Sequence, residues 1–178
     1  MIDRKRFETG DTFAEFLAKP LTNKPFWEAI YKRAAVDADI LVRQKALGAR
    51  WHLLVLNEDW CGDSSNILPY VARLTEAAPN LEMRILRRDE NLDIMDAHLT
   101  GTSRSIPVII LLDDDFNECG WWGPRPAELQ RWVVEEGLKL PKDERYKEVR
   151  TWYARDRGHS ILREIVTTFE RCSAKRAG

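Results

Sequence analysis

Trp51-His52-Leu53-Leu54-Val55-Leu56, followed closely by Trp60-Cys61-Gly62-Asp63-Ser64, is the stretch on which the reading of this chain turns. An apolar run, a polar break, and then Ile67-Leu68, Val71 and Leu74 at helical spacing spell strand, sharp turn and helix. The cysteine falls at the junction, where unpaired helix N–H groups and the positive end of the macrodipole favour a thiolate. Three positions later, where a dithiol site would carry its second cysteine, stands Ser64. Serine cannot attack a mixed disulfide, so the motif cannot run an intramolecular dithiol cycle.

Outward from this junction the pattern continues in a fixed order. Pro69 lies eight residues beyond Cys61, and Ser105-Ile106-Pro107-Val108 leads into the apolar run Val108-Ile109-Ile110-Leu111-Leu112. An acidic turn, Asp113-Asp114-Asp115, precedes Glu118-Cys119-Gly120-Trp121-Trp122, and Pro126 to Leu138 reads as a helix. The ordered set resembles the thioredoxin superfamily. Pro69 is similar to the proline that kinks the active-site helix there, and Pro107 to the proline that is cis beside the active cysteine. Trp60-Cys61-Gly62-Asp63, Arg88-Asp89-Glu90-Asn91 and Trp122-Gly123-Pro124-Arg125-Pro126 resemble a group of little-characterised bacterial thioredoxin-like proteins that lack the second cysteine.

The resemblance implies an α/β fold, a three-layer α/β/α sandwich with a central mixed sheet. It spans roughly 50–138, which leaves helical extensions at 1–49 and 139–178, and the whole is expected to be one domain. The core is expected as strand 51–57, helix 62–77, strand 82–87, helix 92–99, strand 107–112, strand 118–122 and helix 126–137. In the first extension, Thr12 with Glu15 forms a capping box and Pro20 stops that helix. Pro25 suits a first turn, with Phe26, Trp27, Ile30 and Tyr31 as an apolar stripe to be buried on the core. A further helix spans 39–47, with Gly48 as its left-handed stop. Beyond Pro141, Tyr146, Val149, Trp152 and Tyr153 mark one helix, and Ser160 opens another that frays from Ser173.

Departures from ordinary thioredoxin bear on activity. Asp63 replaces the usual proline, and Val55 occupies the place of the buried acid that accepts a proton, so ordinary disulfide reductase activity does not follow. Cys61, Ser64 and Asp63 are the expected reacting groups, with Trp60, Gly62, Ile106, Pro107 and Arg125 lining the substrate site. Asp63 would raise the cysteine pKa by its charge, or cap the helix, as Asp59 would. Ser64 could donate a hydrogen bond to the thiolate. Arg125 could pair with Asp63 or hold a substrate carboxylate such as that of glutathione. Cys119 reads as core filling and Cys172 as incidental.

Two functions fit. The first is a monothiol thiol-disulfide oxidoreductase in which Cys61 attacks a disulfide and an external thiol, glutathione for example, resolves the product. The second is a non-catalytic binding module or redox sensor on the same groove. A thiol pKa below the ordinary value favours the first, a normal or raised one the second. No bound cofactor is expected. The partners are protein thiols and disulfides or glutathione.

Bulk properties narrow the field. With 28 basic and 29 acidic side chains the formal charge is −1, which implies no attraction to nucleic acid or anionic lipid. No apolar run approaches the ~20 residues needed to span a bilayer. The charged start has no apolar core behind it, and three cysteines fit a reducing cytoplasm. His52, His98 and His159 are scattered, no ligand spacing suits a metal, and the Asp113–Asp115 run reads as a hairpin turn.

Overall fold

Polar breaks after Leu56 and at Asp113 cut the apolar runs into strands of five to seven residues, and these form one sheet. The computed structural model describes residues 2–177. Its strands are β1 (Trp51–Asn57), β2 (Leu81–Arg87), β3 (Val108–Leu112) and β4 (Glu118–Trp122), in the spatial order β2-β1-β3-β4. β2 runs parallel to β1, while β3 is antiparallel to both β1 and β4. Leu54 faces Ile110 and Val55 faces Ile109 across the β1–β3 pair. β3 begins one residue after Pro107, which has no N–H to give to a ladder.

Because side chains alternate across a strand, each face of the sheet collects its own core. Leu53, Val55, Ile109 and Leu111 point into one apolar cluster, and Leu54, Leu56, Val108, Ile110 and Leu112 into the other. The first face is covered by α5 (Gly62–Ala77), α9 (His159–Ala177) and the helices α2 (Phe13–Ala18) and α3 (Lys24–Arg33). The second face is covered by the short α1 (Arg4–Glu8) and α6 (Leu92–Met95), through Phe7, Ile94 and Met95. The result is a three-layer α/β/α sandwich. Helices α4 (Ala38–Ala46), α7 (Ala127–Glu135) and α8 (Lys142–Asp156) complete the chain.

The N-terminal helices bury their stripe against the sheet. Thr12 and Glu15 close the capping box, and Trp27 and Ile30 share a cluster with Leu53 and Val55. Phe26 departs from the expected stripe: it is 37% exposed and faces a cleft described below. At the other end α9 stays helical as far as Ala177, so it does not fray from Ser173, and Gly178 lies outside the described residues.

Two core helices are shorter than the sequence predicts. α6 stops at Met95, because Ala97 and His98 turn back on Ile94 and Met95 in i→i+3 bonds and the His98 ring also takes the Ile94 carbonyl. α7 stops at Glu135, ahead of a 3₁₀ turn at Gly137–Lys139.

Two cysteines correct the sequence reading. Cys119 on β4 and Cys172 on α9 form a disulfide with Cα atoms 5.6 Å apart, so neither is a mere filler or incidental. They stand 53 positions apart in sequence, which is why their pairing was not legible. The bond also removes the cysteine count as an argument for a reducing compartment. The Asp113 run behaves as a turn: Asp113 Oδ1 accepts from the N–H groups of Asp115 and Asn117, both at 2.9 Å.

Candidate active site

Cys61 is the N-cap of α5, placed there by the turn after β1. Its side chain is 92% buried, at 8% exposure, and is the single free thiol among the described residues. The Ser64 N–H points at Sγ over 3.5 Å, and the thiol in turn donates to the Ile106 carbonyl at 3.4 Å. Burial pushes the thiol pKa up, the charge of Asp63 pushes it further, and contacts with Ser64 and the Asp63 N–H oppose this only in part. The helix terminus therefore does not yield the low-pKa thiolate that the motif suggested. The Ser64 hydroxyl is fully buried and makes no hydrogen bond of good geometry, although it lies close enough to Sγ to favour the ionised form slightly.

Asp63 does not cap the helix. Its carboxylate accepts two hydrogen bonds from Arg125, from Nε at 2.9 Å and Nη2 at 2.6 Å, and a third from the Tyr153 hydroxyl at 2.8 Å. Nη1 donates to Gln130 at 2.9 Å, so all three guanidinium nitrogens of Arg125 have a partner and three of its five N–H groups are used. Arg125 is thus a partner of Asp63, the first of the two roles the sequence offered it. Burial and the neighbouring Asp63 raise the Tyr153 pKa well above the phenol range, so the hydroxyl stays a donor.

Tyr153 was read from sequence only as part of a helical stripe. A buried tyrosine hydroxyl needs a partner, which was the available signal, but nothing in the sequence says that the partner lies 90 residues away.

The loops opposite Cys61 are held by close packing. The Ile106–Pro107 and Gly123–Pro124 peptides are both cis. Gly123 sits at φ 138°, and a Cβ there would collide with the Pro107 carbonyl oxygen, so only glycine lets the two loops touch. Ile106 faces the thiol, whereas Pro107 is buried behind it and does not line the opening.

Arg88, from the Arg-Asp-Glu-Asn stretch, lies over the Trp60 ring at 5.1 Å and donates to the Arg104 carbonyl at 3.0 Å. Asn91 donates to the Arg87 carbonyl at 2.7 Å and receives Arg6. The motif therefore braces the loop that carries Ile106.

Together these elements leave a cleft of about 670 Å³ above Cys61. Trp60, Gly62, Asp63, Ile106 and Arg125 line it. α3 adds Phe26, and α8 adds Tyr146, Val149 and Arg150, so both extensions wall the thiol. None of these four was read from sequence as a site residue. Among the described residues no group of three or more His, Cys, Asp and Glu is placed to hold a metal ion, and no helix is long and apolar enough to cross a membrane.

No curated protein matches the chain. A protein of unknown function from Pseudomonas aeruginosa superposes with a TM-score of 0.77 at 20% identity, covering 96% of this chain and 98% of its own. An HIV epitope-scaffold superposes with a TM-score of 0.75 at 19% identity, covering 95% and 98% respectively. At such identities the likeness is one of fold. A family model described as thioredoxin matches residues 10–147, from the N-terminal helices through the sheet and Cys61 to the start of α8. The chain belongs to the thioredoxin family.

Proposed function

We propose that the protein carries out slow monothiol exchange at Cys61. The observation that supports it is the placement of one free thiol on the floor of an open cleft, with no partner cysteine in reach. Ser64 holds the resolving position, and Cys119 and Cys172 are bonded to each other. In the forward step the Cys61 thiolate attacks one sulfur of a substrate disulfide. A new Cys61 Sγ–S bond forms, the substrate S–S bond breaks, and the leaving thiolate takes a proton from solvent. An external thiolate then attacks the mixed disulfide and releases Cys61.

The raised thiol pKa sets the pace, since only the thiolate is nucleophilic. The same observation, with the thiol proton donated to Ile106, favours a second reading. In it the cleft is a binding module or sensor and Cys61 completes no cycle.

Intact mass separates the two. After incubation with oxidised glutathione, the native chain gains one glutathione, an added thiol removes it, and Cys61→Ser gains none. If the native chain gains nothing, or Cys61→Ser gains the same adduct, exchange is excluded and the module reading stands.

A further inference from the structure

Both carboxylates that line the cleft are already engaged. Asp59 accepts from the Thr22 N–H at 2.6 Å and from Arg87 at 3.3 Å, while Asp63 is held by Arg125 and Tyr153. The cations are not so evenly used. Arg104 is held by Asp96, and Arg88 by Asp89 and the Trp60 face. Arg150, on the α8 wall, has no hydrogen-bond or ion-pair partner among the described residues. Around the mouth three large aromatic side chains remain open to solvent, Phe26 at 37%, Trp60 at 53% and Tyr146 at 42%. Lys142 and Arg145 lie over Tyr146, which adds positive charge on that side.

A cleft of this volume suits a small molecule or the end of a chain, and drug-sized ligands fill pockets of roughly 300–1,000 Å³. Its spare charge is positive and its spare surface aromatic. A cationic ligand would find no free carboxylate in the lining, while an anionic one would meet the unpaired guanidinium of Arg150. A guanidinium binds a carboxylate in a planar, two-pronged fashion, which favours that anion over a point contact.

We propose that the cleft binds a carboxylate attached to an aromatic group, with the carboxylate on Arg150 and the ring among Phe26, Trp60 and Tyr146. The ligand is either a free aromatic acid or the C-terminus of a peptide that ends in an aromatic residue. Binding does not depend on the thiol; a ligand of this class that also carries a disulfide is a substrate for exchange at Cys61, and only that covalent step rests on the reading above. Such binding also gives the two helical extensions a task, because Phe26 comes from one and Arg150 and Tyr146 from the other.

The test is calorimetric titration of the full chain in the Cys61→Ser background, which removes covalent capture. Naphthoate is compared with naphthamide, and a hexapeptide ending in free phenylalanine with its amidated form. The carboxylate in at least one pair should bind about tenfold more tightly than its neutral counterpart, the worth of one charge-assisted hydrogen-bonded pair. That advantage should vanish in Arg150→Gln and partly return in Arg150→Lys, with unchanged thermal unfolding of both variants. The pair that shows it identifies the source. Equal affinity within both pairs, an advantage that survives Arg150→Gln, or no binding of any probe overturns the proposal. None of these results touches the glutathione adduct, so the two claims fail separately.

Discussion

At the scale of single residues, the site is governed by one conflict. The N-cap position offers Cys61 a backbone N–H, but enclosure and the neighbouring Asp63 charge both penalise the thiolate, and together they prevail. A raised pKa means a smaller thiolate fraction at neutral pH, so alkylation should accelerate through a midpoint above the ordinary thiol value of about 8.5. Asp63→Asn removes the second cause and should lower that midpoint, while burial, the larger cause, keeps it from falling into the acidic range. The same substitution keeps one acceptor oxygen but replaces the other with a donor NH2 and removes the charge that neutralises the half-buried Arg125. Breaking such a buried pair costs on the order of 3–5 kcal/mol, so a lowered unfolding midpoint should accompany the faster thiol. Iodoacetamide rates across pH, measured beside urea unfolding, check both. An Asp63→Asn midpoint equal to the native one would show that the carboxylate does not govern the thiol.

At the scale of elements, the disulfide ties the edge strand β4 to the C-terminal helix α9. Closing a loop over a sequence separation of 53 removes unfolded-state entropy worth about 4 kcal/mol in the chain-entropy picture, and observed gains are often smaller. Cys172→Ser should therefore lose about 2–4 kcal/mol in denaturant unfolding while leaving the Cys61 alkylation rate unchanged. A loss of the same size in both the reduced native chain and the variant would locate the effect in the bond itself, whereas no loss in either would deny it a structural part.

Elements were also where the sequence spoke most clearly. The strand 51–57, the helix 62–77 and the capping box at Thr12 rest on local period and local capping, which neighbouring residues determine. What was not legible depends on distant partners. Tyr153 reaches Asp63 across 90 positions and Phe26 lines the cleft, and neither was read as a site residue, whereas the pairing of Arg125 with Asp63, 62 positions apart, was one of the two roles the sequence reading offered Arg125. The helix-terminus argument for a reactive thiolate failed for the same reason. Burial of Cys61 is a property of the assembled layers, and no local pattern carries it.

At the scale of the whole molecule, the extensions are part of the site rather than appendages. Trp27 and Ile30 complete the core beneath β1, Tyr153 fixes Asp63, and Phe26 and Arg150 both line the cleft that holds the thiol. The arrangement encloses one free thiol and places serine where a second cysteine could resolve its disulfides. Any mixed disulfide formed at Cys61 should then last, because a second intramolecular thiol would act at high effective concentration and serine supplies none. The most direct measurement is the lifetime of the Cys61–glutathione adduct by intact mass, in buffer free of added thiol, for the native chain and for Ser64→Cys. The account predicts that the native adduct persists until a thiol is added, while Ser64→Cys sheds reduced glutathione unaided and becomes two hydrogen atoms lighter than its dithiol form. A native adduct that decays unaided at the rate of the Ser64→Cys variant would contradict it.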